Sequence, residues 1–360
     1  MNSFFQLLQT AIGAREGMTD IPASREDWEE LFKVCGQHNL LGITFPVIDA
    51  LHDEVEVPLG VYSRWAMVAE KTVNKNRAYL EACRKLYGMF TADGFECCIM
   101  KGQAAASLYP RPELRQCGDI DLWAGGGRVK IMDYLRSRYE IKKVLYIHCD
   151  ARILKGISVE VHFTPSWFNS PFGNRRLQKF FESESKEQFG NFDTTLGFSA
   201  PTLRFNAVYM LVHIYRHVLE AGIGLRQLLD YYYVLLHLPA SDRQAALSGI
   251  RQLGLLKFAA GVMYVLREVF CLDADLMLVE PDARLGSFLL DEIMLSGNFG
   301  RFDPRMTHES DESRMSHIRN KVRRAFRFLK YFPSEVFWMP GFMVWQYFWR
   351  RKNNYLYKGR

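Results

Sequence analysis

Asp119 and Asp121 stand one residue apart inside an otherwise apolar run, RQCGDIDLWAG over residues 115–125. On a strand, successive side chains alternate between faces, so the two aspartates share one face while Ile120 and Leu122 share the other. Two carboxylates held side by side repel, and one takes up a proton unless a cation sits between them. The spacing therefore offers a cation site. Upstream, CIMKGQAAASLYP reads as a strand that ends in Lys101-Gly102, followed by a helix. A helix start leaves backbone N–H groups unpaired, and glycine lets a phosphate approach them closely. Downstream, SVEVHF alternates Glu160 and His162 with Val159, Val161 and Phe163. That makes three carboxylates on strands of one sheet, just after a phosphate-binding turn.

The elements that must position these groups follow from the periodicity. Residues 1–92 read as helical: an amphipathic helix at the N-terminus, then a helix opening at Ser24 with Asp27 three residues on, a loose capping box. A helical pattern of some thirty positions stops at Gly94. Over 93–165 the period changes. Strands are expected at 95–100, 119–123, 140–148 and 156–163, with helices at 103–109 and 127–139. That alternation predicts a compact mixed α/β unit. Residues 166–200 read as a connecting loop carrying at most one short helix, and helical patterning resumes from Pro201 to about 297. Residues 298–360 read as an exposed, charged linker and a basic aromatic tail. The fold class is α+β and mostly helical: a small mixed-sheet core between an N-terminal helical region and a C-terminal helical domain that closes the cleft.

Composition bounds the partners. The chain has 360 residues, is 48% hydrophobic and carries a net charge of +6. From Arg319 to Arg360 there are eleven Lys or Arg against one acid, Glu335, so the tail holds +10 and the rest of the chain −4. An acidic body with no basic stripe along the site disfavours nucleic acid as substrate. Seven cysteines, an odd number without C-x-x-C spacing, exclude a full disulfide framework and favour a reducing compartment. The N-terminus lacks the basic and apolar regions of a signal peptide, and no run of about 18 apolar residues reads as a membrane span.

The order strand–Gly–helix, then a Gly118-Asp119-Ile120-Asp121 strand, then a strand with one more acid, resembles the polymerase-β-like nucleotidyltransferase fold. The spelling KGQAAASLYPRPELRQCGDIDLW, with VEVHF and GIGLRQLLDYY, is similar to an uncharacterised bacterial nucleotidyltransferase family, over roughly residues 30–240. One departure stands out: Gly102-Gln103 replaces the usual Gly-Ser or Gly-Gly pair. The resemblance implies Mg²⁺-dependent transfer of a nucleotidyl group from an NTP to an acceptor hydroxyl, with release of pyrophosphate. It implies Asp119, Asp121 and Glu160 as catalytic metal ligands for two Mg²⁺ ions, since such a pair can clamp the attacking and leaving oxygens. Lys101, Gly102, Gln103, Arg115, Gly118 and Arg226 are the nucleotide-binding set that goes with it.

Plainer readings stand beside these. Lys101 reads equally as a salt-bridge partner of the acids, Arg115 as a surface arginine, and His162 as a hydrogen-bonding neighbour. Arg226 and Asp230, four residues apart on a helix, are an ordinary intrahelical ion pair by default. His213 and His217 have zinc-protease spacing but lack its glutamate, so core or interface histidines are preferred. In the tail, Trp338, Phe342, Trp345 and Trp349 form an aromatic stripe at helical spacing, while Pro333 and Pro340 argue against one straight helix. Docking of this stripe onto the protein itself is preferred; contact of residues 319–360 with an anionic membrane surface is the second reading. Two rival functions follow: a nucleotide-binding regulatory module without catalysis, and a membrane-associated protein of envelope polysaccharide assembly. The expected location is the cytoplasm, with a peripheral place at the inner membrane under the second tail reading.

Overall fold

A computed structural model describes residues 2–306, 314–353 and 355, the side chains of 314–317 excepted. The parts of the linker and tail expectations that fall on 307–313, 354 and 356–360 lie outside the described residues. The N-terminal region is helical: α1 (Asn2–Ala11), α2 (Arg25–Gln37), α3 (Leu41–His52) and the long α4 (Leu59–Ala92). Ser24 caps α2 as a full capping box, Asp27 N to Ser24 Oγ and Ser24 N to Asp27 Oδ2, both at 3.1 Å.

The middle of the chain forms β1 (Cys97–Met100), the short α5 (Gly102–Ala106), β2 (Ile120–Ala124), α6 (Gly127–Arg138), β3 (Ile141–Val144), β4 (His148–Ala151) and β5 (Val159–His162). The sheet order is β1-β2-β5-β4-β3, with β2 and β5 parallel and every other pair antiparallel. The single strand expected at 140–148 is a hairpin instead. Its chain turns at 145–147, so His148 opens a second strand. One sheet face is apolar: Leu122, Val159, Val161 and Ile99 pack on Cys83, Leu86 and Phe90 of α4 and on Ile131 and Leu135 of α6. The opposite face carries Asp121, Glu160 and His162.

The expected loop at 166–200 contains a 20-residue helix, α7 (Pro171–Gly190), followed by β6 (Phe192–Asp193) and β7 (Phe198–Ser199). Ser170 caps α7 and Pro171 fills its first turn, where no amide hydrogen is needed. Only a narrow stripe of it is buried, Leu177, Phe181 and Phe189 beside a charged remainder, so no broad apolar face betrayed it. Phe181 and Phe189 meet Trp123 of β2 edge-on.

The C-terminal helices are α8 (Leu203–Glu220), α9 (Leu225–His237), α10 (Ala240–Gln252), α11 (Leu256–Phe270), α12 (Ala283–Ser296), α13 (Arg314–Phe328) and α14 (Pro333–Lys352). α9 is buried from Leu225 to Leu235 and forms the centre of this region. Contrary to the proline argument, α14 is one helix: Pro333 occupies its first turn, and the chain runs helically through Pro340. Its aromatic stripe docks inward. Tyr146 meets Phe342, Trp345 and Trp349 at 5.4–6.2 Å between ring centroids, and Arg128 sits 4.6 Å over Trp349. Among the described residues no helix is long and apolar enough to cross a membrane.

Candidate active site

Backbone register builds the acidic face. Asp121 of β2 pairs with Glu160 of β5, and Glu160 pairs with Asp150 of β4, so three acids lie in one row across the sheet. A step along, His162 pairs with His148. Asp119 sits just before β2. Oxygens of Asp119, Asp121 and Glu160 all lie within 4.8 Å of one another, as do ligand atoms of His148, Glu160 and His162. The carboxylate trio lines a cavity of about 320 Å³ between the sheet, α8 and the start of α9.

Two cations already attend the row. Lys101 Nζ lies 2.9 Å and His162 Nε2 2.8 Å from Asp121, both at Oδ1, which leaves Oδ2 for a further partner. Burial pushes the Asp121 carboxyl up, yet Lys101 and His162 outweigh it and hold the group well below the usual range. Repulsion from Asp121, with burial and Glu160, pushes Asp119 up to about 6. His162 is buried, but its bonds to Asp121 and Glu160 raise it to about 9. The histidine thus ties two acids through one nitrogen, Nε2 lying 2.8 Å from Asp121 and 3.3 Å from Glu160, a more definite task than the sequence suggested. His148 Nδ1 adds a 3.1 Å approach to Glu160. The donor set suits a hard divalent cation: three carboxylates converge within 4.8 Å, and their mutual repulsion, which raises Asp119, is what a cation between them would relieve.

At the mouth of this row, Lys101 has φ +51° and Gly102 φ +38°. A lysine in that region is uncommon, and such strain collects at functional turns. Gly118 also lines the cavity, and a Cβ there would meet no atom within 4 Å. Gln103 turns away. It is buried and donates to Asn76 Oδ1 at 2.8 Å, while Asn76 donates to the carbonyls of Glu113 and Arg115 at 2.7 Å each. Its side chain, expected at the nucleotide, instead braces the loop that carries Arg115, because a buried amide must satisfy its hydrogen bonds.

The opposite wall is built by side chains. Arg115 is not a surface residue: it is 1% exposed and clamps Asp230 through Nε and Nη2 at 2.6 and 2.7 Å. Tyr109 donates to the same carboxylate at 2.6 Å. Asp230 is held mainly by Arg115 and Tyr109, and the expected intrahelical pair with Arg226 is present but long, at 4.0 Å. Arg226 lines the cavity, is 9% exposed, and its Nε has no hydrogen-bond partner. It is a buried cation with unused donors.

Several lining residues carried no clear sequence signal. His213 and His217 face the cavity with rings 4.3 Å apart, and burial keeps both neutral, His217 down at about 4. Neither belongs to a three-ligand metal group among the described residues. Arg216 stacks 4.3 Å over Trp167 and pairs with Glu220 and with Glu335 of α14. Glu335 also accepts from the amides of Asn169 and Ser170 at 2.7 and 3.2 Å. The tail thus braces one rim of the cavity. His148 was detectable: it alternates with Asp150 once the 140–148 run is split at its turn.

No curated protein matches the chain. The family described as "uncharacterised nucleotidyltransferase" matches residues 24–271. Every residue of the acidic row, the Lys101-Gly102 turn and the Arg115–Asp230–Arg226 wall falls inside that span, and the chain belongs to this uncharacterised nucleotidyltransferase family.

Proposed function

We propose that the protein transfers a nucleotidyl group from an NTP to an acceptor hydroxyl in a Mg²⁺-dependent reaction that releases pyrophosphate. The observation that carries this reading is the convergence of Asp119, Asp121 and Glu160 oxygens within 4.8 Å, across the cavity from Arg226, a buried arginine whose Nε has no hydrogen-bond partner. When bound, Mg²⁺ would neutralise charge on the phosphoryl oxygens and favour loss of the acceptor proton. Asp119, Asp121 and Glu160 would hold it, Asp121 through the oxygen that Lys101 and His162 leave over. Lys101 and the open turn at Gly102 and Gly118 hold phosphate oxygens. Arg226 neutralises the triphosphate with donors that Asp230 does not occupy, and Arg115 fixes that wall in place. Glu160, at the side of the site bordered by His148 and Trp167, orients the acceptor hydroxyl and takes its proton. Little covalent chemistry falls to the protein; positioning and charge carry the reaction.

The test is a pyrophosphate-release screen of the full chain with each NTP and a panel of hydroxyl acceptors, with Mg²⁺ and with EDTA. Release that EDTA abolishes and Asp121→Asn removes is the expected result. NTP binding with no release from any acceptor would instead leave a nucleotide-binding module.

A further inference from the structure

α14 has two faces, and only one is used by the protein. Val336 and Met339 are buried in the main core, and the sole acid of the tail, Glu335, is 6% exposed and spent on Asn169, Ser170 and Arg216. The outward face is the unusual one. Phe337 is 74% exposed, Val344 57% and Phe348 59%, and their spacing of seven and four residues puts them on one line of the helix. Trp345, 46% exposed, flanks the line, and Arg351 and Lys352 continue it at the C-terminal end. A helix on a soluble protein turns its polar face to water. Here no charged residue interrupts the outward face until its last turn.

We propose that this face seats the protein on an anionic lipid surface. Three observations favour lipid over another protein. The exposed chemistry is aromatic and cationic with no acid, whereas interface cores deplete lysine and pair their charges. The segment from Arg319 carries eleven Lys or Arg against one acid. Arg324 and Arg327 pair with Glu292 and Asp303, and the excess that remains, including exposed Arg351 and Lys352 at the end of this face, orients the tail toward anionic headgroups. The helix is too short of apolar residues to span, as an in-plane helix with Phe and Trp below and Arg and Lys at the boundary would be.

The position of the face has a consequence for the acceptor. A groove of about 520 Å³ shares Ile147, Trp167 and Glu220 with the catalytic cavity and continues to Met339, Ile318 and Tyr347 beside α14. Its lining is mixed, apolar at Leu145, Met339 and Met343 and basic at Lys143 and Lys321, and Ile318 and Tyr347 are each 40% exposed. An acceptor hydroxyl carried by an amphiphile in the bilayer could enter there and reach Glu160. This last step rests on the proposed function; the docking itself does not.

The full chain is floated with vesicles of phosphatidylcholine alone and with about 30% phosphatidylglycerol, which gives the surface a negative potential. Binding is expected to the phosphatidylglycerol vesicles, to weaken at least about tenfold in the Phe337→Ser/Phe348→Ser variant, and to weaken likewise in Arg351→Glu/Lys352→Glu. Both variants change exposed side chains, and unchanged melting temperatures confirm that they fold. Failure to float with either lipid overturns the proposal, as does flotation indifferent to the four substitutions. Self-association that the Phe337→Ser/Phe348→Ser variant abolishes, without flotation, assigns the face to a second copy instead. Pyrophosphate release from soluble substrates reads the catalytic proposal separately from either result.

Discussion

The two walls of the cavity are assembled by different means. On the sheet side, Asp121, Glu160 and Asp150 are aligned by main-chain pairing across β2, β5 and β4, so their neighbourhood is fixed by strand register. On the helical side, Arg115 reaches Asp230 across 115 positions of sequence, Tyr109 joins it, and Arg226 is left over. One wall is a backbone product, robust to changes in side chain. The other depends on a buried ion pair that collapses if either partner goes. Substitution of Asp119, which only repels its neighbours, should cost activity without stability, whereas substitutions in the second wall should cost both.

The largest effect is expected on the sheet side. Asp119→Asn and Asp121→Asn should each lower Mg²⁺-dependent turnover about 10³-fold, in line with the loss of other electrostatic catalysts. For Asp119→Asn the melting temperature should hold or rise, because one of three crowded negative charges is removed. A variant retaining half its turnover contradicts the assignment. On the helical side, Asp230→Asn should destabilise by about 3–5 kcal/mol, as breaking one partner out of a buried pair does. Denaturant titration reads this, and a loss below about 1 kcal/mol would show that the wall tolerates an uncompensated Arg115.

The same contrast explains what could be read from the chain. The Asp119/Asp121 alternation, Glu160 and the Lys101-Gly102 turn are local patterns, and the β2–β5 pairing brought the three acids together as expected. Spacing pairs Asp230 with Arg226, and that pair exists at 4.0 Å, but nothing local announces the closer partner, Arg115, 115 residues away. α7 was missed for a related reason: its buried stripe is narrow, and its burial is supplied by Trp123 and Phe205 from other elements. Gln103 looked like a phosphate contact because position on a turn does not reveal which way a side chain goes. Pro340 in α14 yielded to tertiary packing of Val336 and Met339.

A smaller effect separates the turn from its lysine. Gly102→Val should abolish NTP binding, since φ +38° is strained for any side chain. Lys101→Ala should weaken binding about tenfold, the worth of one charge-assisted contact. Titration with a labelled NTP distinguishes them, and equal affinities for parent and Gly102→Val would place the phosphates elsewhere.

The smallest effect is on pH dependence. Asp119 has its folded pKa raised from 3.8 to about 6, so the native state binds its proton more readily than the unfolded chain. Stability from this group is fully present below pH 4 and lost as pH rises through 6. His162, raised from 6.5 to about 9, contributes stability present below 6.5 and lost as pH rises through 9. His213 and His217, lowered by burial, act in the opposite sense, so the readout is a difference: with EDTA present, the parent's melting temperature should fall relative to that of Asp119→Asn from pH 5 to pH 8. Mg²⁺ should raise it more at pH 8 than at pH 5, because the cation competes with the Asp119 proton.

The claim on which the rest depends is that the acidic row is a metal site for nucleotidyl transfer. Calorimetric titration of Mg²⁺ into the protein saturated with a non-hydrolysable NTP, at pH 8, tests it most directly. The parent should bind the ion, and Asp119→Asn should lose that binding while keeping its melting temperature. Equal Mg²⁺ affinity in the two proteins would contradict the account.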